Sequence, residues 1–273
     1  MSRGHRPKAS LGQNFLVDPN LQRKIVRAVG AGSEDVVLEV GPGREALTRH
    51  LQGHVERLIL VELDDELAGR LETRYGDRQD VEVVHADILE TRMAELVADP
   101  ETLLVVGNIP YNITTPILFH LLERPRPRAL VLMVQDEVAD RIVAEAGSAA
   151  YGALTVGVQS VARVEKLFRV GRKAFRPVPG VDSAVIRVEP LRPETLDADE
   201  ERALRRLVRA CFQWRRKQLR KILRDHSDLE VPREKIQALA EKVGFRPTDR
   251  PETLSPGGFV RLARALPSRG ADE

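Results

Sequence analysis

Short apolar runs alternate with helical patterns through the first two thirds of the chain. The runs "DVVLEV", "RLILVE", "VEVVHAD", "LLVVGN" and "ALVLMVQ" begin at positions 35, 57, 81, 103 and 129. Such near-continuous apolar runs predict strands of a sheet that is covered on both faces. Segments between them, such as "DDELAGRLETRYG", have the spacing of amphipathic helices. The alternation predicts an α/β fold with a doubly wound, mostly parallel sheet.

Two further runs, "EKLFRV" and "SAVIRVEP", bring the predicted mixed sheet to seven strands, joined through the proline-rich "AFRPVPGVD". A proline- and acid-rich linker follows at residues 190–200, after which the pattern is helical throughout. The helical segments are "ERALRRLVRACFQWRRKQLRKILRDH", "PREKIQALAEKVG" and "SPGGFVRLARAL". We therefore predict a sheet domain over residues 1–192 and a small all-helical domain over residues 193–273.

Composition narrows the class of protein. A hydrophobic content of 42% over 273 residues suffices for a real core. Cys211 is the only cysteine, which excludes an internal disulfide and a multi-cysteine zinc site. No apolar run reaches the length of a membrane span, and the first ten residues lack the apolar middle of a secretory signal. We expect a cytoplasmic protein without membrane association.

The formal net charge of +2 conceals an asymmetry along the chain. From Pro190 onward there are 19 basic and 14 acidic residues, whereas residues 1–189 have a net charge of −3. Basic charge at one end suggests contact with a polyanion. A well-solvated, arginine-rich surface explains the counts as well, and by themselves the counts favour that simpler reading.

Polar or glycine residues follow three consecutive predicted strands. Gly41 and Gly43 allow a tight turn and close approach to a ligand, although a plain strand-to-helix turn needs the same residues. Glu62 ends the next strand, where an acid accepts hydrogen bonds from ribose hydroxyls. Asp87 ends the third and can bind an adenine amine or cap a helix. A nicotinamide cofactor would fit this edge too, but Ala46 replaces the third glycine of its fingerprint.

The fourth strand ends in "NIPY", residues 108–111. The Asn108 amide and the Ile109 carbonyl can accept the two protons of an exocyclic amine and so localise its lone pair. Pro110 stiffens the turn, and Tyr111 offers a flat face on which a base can stack. The tetrapeptide suits methylation of a planar amine by a sulfonium donor bound at the glycines. Taken in isolation, however, the tetrapeptide is more typical of a proline-stiffened turn with Asn108 as the cap of the next helix.

Several ordered motifs resemble one enzyme family. "NIPY" is similar to the motif of amino-methyltransferases that use S-adenosylmethionine. "LGQNFLVD", "EVGPG", "GNIPYNITTPILFHLL", "VQDEVADRIVA", "YGALTV" and "FRPVPGVDSAVIRV" resemble the ribosomal RNA adenine N6,N6-dimethyltransferases of the KsgA type. The resemblance runs from about residue 8 to about residue 266. It implies a Rossmann-like domain that uses S-adenosylmethionine without a metal. The implied substrate is a pair of adjacent adenines near the 3′ end of 16S ribosomal RNA in the small ribosomal subunit.

The resemblance also implies a cofactor site. Asn14 and Leu16 would contact S-adenosylmethionine from an N-terminal segment folded over it. Gly41 would lie against its methionine part, Glu62 would bind the ribose, and Asp87 would bind the adenine amine.

The same resemblance implies a catalytic set. Asn108 would face both the sulfonium methyl and the target amine, while Tyr111 and Phe175 would enclose the target base. From the residues themselves, Phe175 is a core position. The loop "GPGREALT" departs from the family at Arg44 and Glu45, where small or apolar residues are common.

Residues 202–224 contain ten Arg or Lys and no acid. Leu204, Val208, Cys211, Leu219 and Ile222 recur at helical spacing, which predicts a helix with one buried stripe. Because no acid balances these cations within the helix, their mutual repulsion favours an external counter-charge, which the phosphates of RNA can supply. We expect RNA contacts from the exposed cations, namely Arg215, Arg216, Lys217, Arg220 and Lys221.

Two other functions remain open at this stage. An Erm-type enzyme that methylates adenine in large-subunit ribosomal RNA has the same fold and the "NIPY" type of motif. A ribosome-assembly factor that uses the fold as an RNA clamp, with secondary catalysis, is the other. In each case we expect a monomer.

Overall fold

The computed structural model of the chain describes residues 7–8 and 12–266. The strands are β1 (Phe15–Leu16), β2 (Val36–Val40), β3 (Arg57–Glu62), β4 (Val81–His85), β5 (Leu104–Asn108), β6 (Ala129–Gln135), β7 (Ala162–Val170), β8 (Phe175–Arg176) and β9 (Ser183–Pro190). All seven strands predicted from the sequence are present, and the sequence did not predict the two-residue strands β1 and β8.

The first helices are α1 (Pro19–Val29), α2 (Thr48–Leu51), α3 (Asp65–Tyr75), α4 (Met93–Leu96) and α5 (Thr114–Leu121). The predicted helix over residues 89–99 shortens to the four residues of α4. Before it, Leu89 N–H donates to Asp87 Oδ1 and Thr91 Oγ1 donates to the Asp87 carbonyl. Such local side-chain bonds compete with helical hydrogen bonding.

The large sheet has the strand order β4-β3-β2-β5-β6-β9-β7. The neighbours from β4 to β6 are parallel, and β9 is antiparallel to β6. This is the predicted mixed, mostly parallel seven-stranded sheet, and the fold-class prediction is confirmed. Because parallel strands end at a common edge, the residues that follow β2, β3, β4 and β5 lie along the same side of the sheet.

A separate pair of strands fastens the start of the chain. In it β1 runs antiparallel to β8, with Leu16 opposite Phe175. Val17 N–H also donates to the Ala174 carbonyl at 2.8 Å. The N-terminal segment is therefore fixed at Phe15 and Leu16, both of which are buried.

The later helices are α6 (Asp136–Ile142), α7 (Ala153–Gln159), α8 (Ala198–Gln213), α9 (Leu219–Asp225), α10 (Arg233–Val243) and α11 (Pro256–Ala265). Asp197 begins α8 with a capping box to Glu200, and Gly244 ends α10 at a φ of 85°. Helix α8 packs against α7 and α11. The core of this unit includes Tyr151, whose hydroxyl donates to the Leu254 carbonyl.

The chain forms two compact units, residues 1–139 with 164–190, and residues 140–163 with 191–273. These ranges differ from the predicted domains, 1–192 and 193–273, because residues 140–163 group with the helices. Ala144, Tyr151 and Val156 are buried in the helical core. The sequence pattern does not indicate that residues 140–163 belong to the helical unit, since α7 has the same apolar character as a helix of the sheet unit.

The prediction of one helix over residues 202–224 is wrong, because the helix breaks between α8 and α9. Trp214 ends α8 with φ −108° and ψ 34°, and a turn brings Lys217 N–H to the Trp214 carbonyl at 2.7 Å. The predicted apolar stripe is nevertheless buried at every position, at Leu204, Val208, Cys211, Leu219 and Ile222. Burial raises the pKa of the Cys211 thiol to about 12, which keeps it protonated and unreactive at neutral pH.

Gly107 precedes Asn108 in β5 and lies opposite Val40 of the neighbouring strand β2. A Cβ at Gly107 would lie 2.9 Å from the Val40 carbonyl oxygen and 3.0 Å from Ile109 Cδ1. Gly107→Ala should therefore push the strands apart and lower the free energy of unfolding by about 1–3 kcal/mol. Gly69→Ala is the matched control, because a Cβ there meets nothing within 4 Å. On the exposed face of α3 it should stabilise by roughly 0.5–1 kcal/mol. Urea unfolding measures both, and a Gly107→Ala protein as stable as the parent would contradict this packing.

Candidate functional site

A cavity of about 310 Å³ lies at the carboxyl edge of the sheet unit. Residues from the ends of β2, β3 and β5, from the segment after β4 and from the N-terminal segment form its walls. Seven of the predicted site residues line it: Asn14, Leu16, Gly41, Glu62, Asp87, Asn108 and Tyr111. The structure thus brings the predicted cofactor residues together with two of the three predicted catalytic residues.

The glycine loop forms one wall of the cavity. Gly41 has a φ of 64° and Gly43 a φ of 58°, a left-handed conformation that favours glycine. A Cβ at Gly41 would meet no atom within 4 Å and would project into open space. One at Gly43 would lie 3.1 Å from the Phe15 ring. Gly41 therefore leaves room for a ligand, and Gly43 makes room for the N-terminal segment.

The two residues that depart from the family have specific contacts. The Arg44 guanidinium lies 4.3 Å from the centroid of the Phe15 ring. Glu45 adopts a φ of 61°, which is strained for a residue with a side chain. Its Oε2 accepts a hydrogen bond from the Tyr75 hydroxyl at 2.7 Å and forms an ion pair with Arg74 Nη1 at 2.9 Å. These bonds hold Glu45 in place, and the departure leaves the turn of the loop intact.

Glu62 is buried at the end of β3, and both of its carboxylate oxygens are positioned by the backbone. Oε2 accepts from Gly43 N–H and Oε1 accepts from Asp64 N–H, each at 2.9 Å. Burial raises the pKa of Glu62, and these backbone N–H groups oppose that rise. Each oxygen keeps a second lone pair for a hydroxyl donor from a ligand.

A second buried carboxyl, Glu39, lines the cavity on β2 and was not predicted as a site residue. Thr48 Oγ1 donates to Glu39 Oε2 at 2.7 Å, which links β2 to the start of α2. Burial raises the pKa of Glu39 to about 8. Thr48 therefore already occupies one oxygen of Glu39, a carboxyl whose burial favours its protonated form.

Asp87 begins a turn and not a helix, so the helix cap that the sequence offered is not formed. Its Oδ1 accepts from Leu89 N–H at 2.9 Å within this turn, and the residue also borders the cavity. Its binding of an adenine amine stays a prediction.

Asn108 is bound to the N-terminal segment. Its Nδ2 donates to the Asn14 carbonyl at 2.8 Å, across 94 positions of sequence. Among the described residues, Asn108 Oδ1 accepts no hydrogen bond. The Asn14 carbonyl accepts only from a donor, so it selects the amide orientation in which the nitrogen faces the segment. The oxygen then remains as an acceptor at the cavity.

Asp64, which the sequence reasoning missed, anchors the same segment. Its buried Oδ2 accepts from Gln13 Nε2 at 3.0 Å and pairs with Lys8 Nζ at 3.0 Å. Its Oδ1 caps α3 through Glu66 N–H. Burial acts to raise the pKa of Asp64, but the bonds from Lys8 and Gln13 outweigh it and lower that pKa. The "DDEL" pattern signals a helix cap, whereas nothing in the sequence links it to residues some fifty positions earlier.

The two predicted base-stacking residues have different surroundings. Tyr111 is partly exposed on a 3₁₀ turn (Tyr111–Ile113) and lines the cavity. Phe175 has no exposed surface and lies in the core cluster of the sheet unit. Phe175 does not line the cavity, and the pairing of Tyr111 with Phe175 around a base stays a prediction. The pairing of β8 with β1 holds Phe175 opposite Leu16 and explains its burial.

The predicted RNA-binding cations are grouped around the turn between α8 and α9 of the helical unit. Arg216, Lys217, Arg220 and Lys221 are exposed. Arg215 is the exception, because it donates to the Ala149 carbonyl and lies 3.5 Å from Glu252. A surface cavity here is lined by Gln213, Trp214, Arg215, Arg216, Lys217 and Lys221. Trp214 itself packs against the helical core and against His226.

The described residues contain neither a candidate metal site nor a candidate membrane span. Residues 7–8 and 12–266 contain no group of three or more His, Cys, Asp or Glu side chains placed to hold a metal ion. Across the same ranges, every helix is too short or too polar to cross a membrane. The expectation that no metal takes part stays a prediction.

The chain has relatives along nearly its whole length. A ribosomal RNA small subunit methyltransferase A from Pseudomonas aeruginosa is 41% identical over 263 residues, 96% of this chain and 95% of that protein. A dimethyladenosine transferase from Plasmodium falciparum has a similar structure, with a TM-score of 0.78 and 28% identity over 91% of this chain and 95% of that one. The 23S rRNA methyltransferase ErmE gives a TM-score of 0.70 and 28% identity over 93% and 99%.

The family model that matches is the ribosomal RNA adenine dimethylase, over residues 4–265. That match extends over both compact units and includes every residue of the cavity described above. The resemblance found in the sequence is thereby confirmed, and the chain belongs to the ribosomal RNA adenine dimethylase family.

Proposed function

We propose that this protein transfers methyl groups from S-adenosylmethionine to the N6 amines of two adjacent adenines near the 3′ end of small-subunit ribosomal RNA. The observation on which the proposal mainly depends is Asn108, an acceptor at the edge of a cavity beside the partly exposed ring of Tyr111. The small-subunit substrate is supported by relatives of that name at 41% identity, against 28% for ErmE. Action on ribosomal RNA also supports a cytoplasmic location, and the cavity needs no second chain.

The cavity fits S-adenosylmethionine by its hydrogen-bond acceptors and its open space. Gly41 leaves room where a Cβ would intrude, and Glu62 has lone pairs for ribose hydroxyls. Asp87 offers a carboxylate oxygen for the adenine amine. Asn14 and Leu16 border the cavity from the N-terminal segment and would cover the bound cofactor.

When bound, S-adenosylmethionine supplies an electrophilic methyl group. The chain's own contribution is to make the target amine nucleophilic. Asn108 Oδ1 and the Ile109 carbonyl would accept the two N6 protons and draw the lone pair out of conjugation with the ring. The Asn14 carbonyl keeps the amide turned for this task before the substrate arrives. The amine would attack the methyl carbon as a neutral group while the bond from that carbon to the donor sulfur breaks, with the thioether as leaving group, and the methylated amine would then release its proton to water.

Tyr111 would stack on the target base, which must leave its helix to reach Asn108. Phe175 could join this stack only if β8 moved away from β1, because its ring is buried in the structure. We therefore assign the stacking surface to Tyr111 and keep a role for Phe175 as a proposal that depends on such a movement.

The helical unit would dock the RNA by its phosphates. We place the docking surface at the turn after α8 because four cations are exposed there, namely Arg216, Lys217, Arg220 and Lys221. Phosphate contacts position a substrate without reading its sequence, which suits a docking surface. Arg215 has protein partners, so we propose that it stabilises this turn in addition to binding RNA.

Incubation with labelled S-adenosylmethionine and unmodified ribosomal subunits tests the proposed function. We expect label in the small subunit as N6,N6-dimethyladenosine and none in the large subunit. Label in the large subunit alone would identify an Erm-type activity. Tight binding to small subunits without methylation would identify an assembly factor instead.

Asn108→Ala should slow methyl transfer on the order of 100-fold or more, because a preorganised acceptor is lost from the transition state. Affinity for S-adenosylmethionine should change far less. Single-turnover methylation and calorimetric titration measure the two quantities. Retained transfer in Asn108→Ala, together with loss of activity on adding a chelator, would refute the metal-free mechanism.

Asp64→Asn should weaken S-adenosylmethionine binding roughly tenfold, because it removes a charged acceptor of the N-terminal segment. Asn also caps helices, so α3 should persist. Asp65→Asn is the matched control, because the Asp65 side chain is 88% exposed and, within the described residues, its ion pair is with His85. Equal affinities for the two variants would mean that Asp64 does not hold the segment.

Reversal of Arg216, Lys217 and Lys221 to Glu should weaken binding to small subunits and leave S-adenosylmethionine binding unchanged. The slope of log affinity against log salt should become shallower by about 0.7–0.9 per lost phosphate contact. Reversal of Arg209, Lys235 and Lys242 changes the net charge equally at exposed sites outside this turn. The same loss of slope in both triple variants would show that net charge, not this surface, determines docking.

A further inference from the structure

Tyr111 has a hydrogen bond that stacking alone does not require. Its hydroxyl lies 2.5 Å from Ser183 Oγ, 72 positions further along the chain. Ser183 has no exposed surface. Within the described part of the chain, Tyr111 is the sole hydrogen-bond partner of the Ser183 hydroxyl.

The bond joins a turn to a fixed strand. Tyr111 follows β5, and Ser183 begins β9, two strands away across β6. Neighbouring strands lie about 4.8 Å apart, so the tyrosine side chain has to extend across the end of β6 to reach Ser183. A side chain extended in this way is fixed at both ends, at its Cα and at its hydroxyl.

The start of β9 is itself well held. Ser183 pairs with Gln135 at the end of β6, and Asp136 N–H donates to the Asp182 carbonyl at 3.0 Å. The Asp182 carboxylate accepts from Arg172 N–H and from the Arg169 guanidinium, each at 2.8 Å. Ser183 therefore offers the Tyr111 hydroxyl a rigid partner beside the carboxyl end of β6.

Moving the ring away would leave a buried hydroxyl unpaired, and such groups are costly to leave unsatisfied. Burial raises the pKa of Tyr111, and the nearby Asp182 adds to the rise, so the phenol stays protonated at neutral pH and the bond persists. The ring is thus held in one position before any base arrives.

We propose that Ser183 is a positioning residue: through its bond to the Tyr111 hydroxyl, it fixes the ring at the place where the target base stacks beside Asn108. The inference rests on the proposed function, since it concerns the same base site. It also changes the expectation for Tyr111→Phe. Stacking alone would make that change mild, whereas loss of the bond should release the ring and slow transfer.

A double-mutant cycle with Tyr111→Phe and Ser183→Ala tests the proposal. Each single variant should lower kcat for methylation of small subunits by roughly fivefold or more, with KM for S-adenosylmethionine unchanged. The double variant should be no slower than the slower single variant, because the two changes remove the same bond. Ser160→Ala is the matched control, since Ser160 is also buried but bonds the Val156 carbonyl in the helical unit.

Three outcomes would overturn the proposal: wild-type kcat in Tyr111→Phe, wild-type kcat in Ser183→Ala, or effects that multiply in the double variant. Thermal unfolding and S-adenosylmethionine titration of each variant separate a folding defect from a positioning defect. If Ser183→Ala fails to fold, the isosteric Tyr111→Phe still decides, because it removes the bond without a cavity. Failure of the wild-type protein to methylate small subunits would refute the proposed function itself, a result distinct from these.

Discussion

The hydrogen bond from Asn108 Nδ2 to the Asn14 carbonyl is the contact on which the site depends. It joins the end of a central strand to a segment from the start of the chain, and it orients the amide of Asn108. A donor is required at this position, so the amide oxygen is the atom left to face the cavity. The position of that oxygen follows from the fold, because β5 ends at the common edge of the parallel strands.

The segment that supplies the carbonyl has its own supports. The buried carboxylate of Asp64 binds Gln13 and Lys8, and β1 pairs with β8. The Asp64 side chain is itself fixed in position, because its other oxygen caps α3. In the proposed mechanism, cofactor covering and catalytic orientation are therefore linked. A change that loosens the segment should then affect both the binding of S-adenosylmethionine and the direction of the Asn108 amide.

Much of this arrangement could be predicted from local patterns. Apolar runs marked the seven strands of the sheet, and the polar residues after them, Gly41, Glu62, Asp87 and Asn108, line one cavity because strand ends share an edge. Contacts between distant parts of the chain could not be predicted in this way. Asp64 with Gln13, Tyr111 with Ser183, and the packing of residues 140–163 among the helices have no local signal. The break after Trp214 was also missed, because the apolar spacing continues through it.

The most direct test of the account is the single-turnover rate of Asn108→Asp at saturating S-adenosylmethionine. This variant keeps the size of the side chain and its acceptor oxygens but removes the N–H that bonds the Asn14 carbonyl. Loss of a preorganised catalytic group typically costs on the order of 100-fold, and we predict a loss of that order here. A variant that methylates small subunits at the wild-type rate would show that the Asn14 carbonyl does not orient the catalytic group.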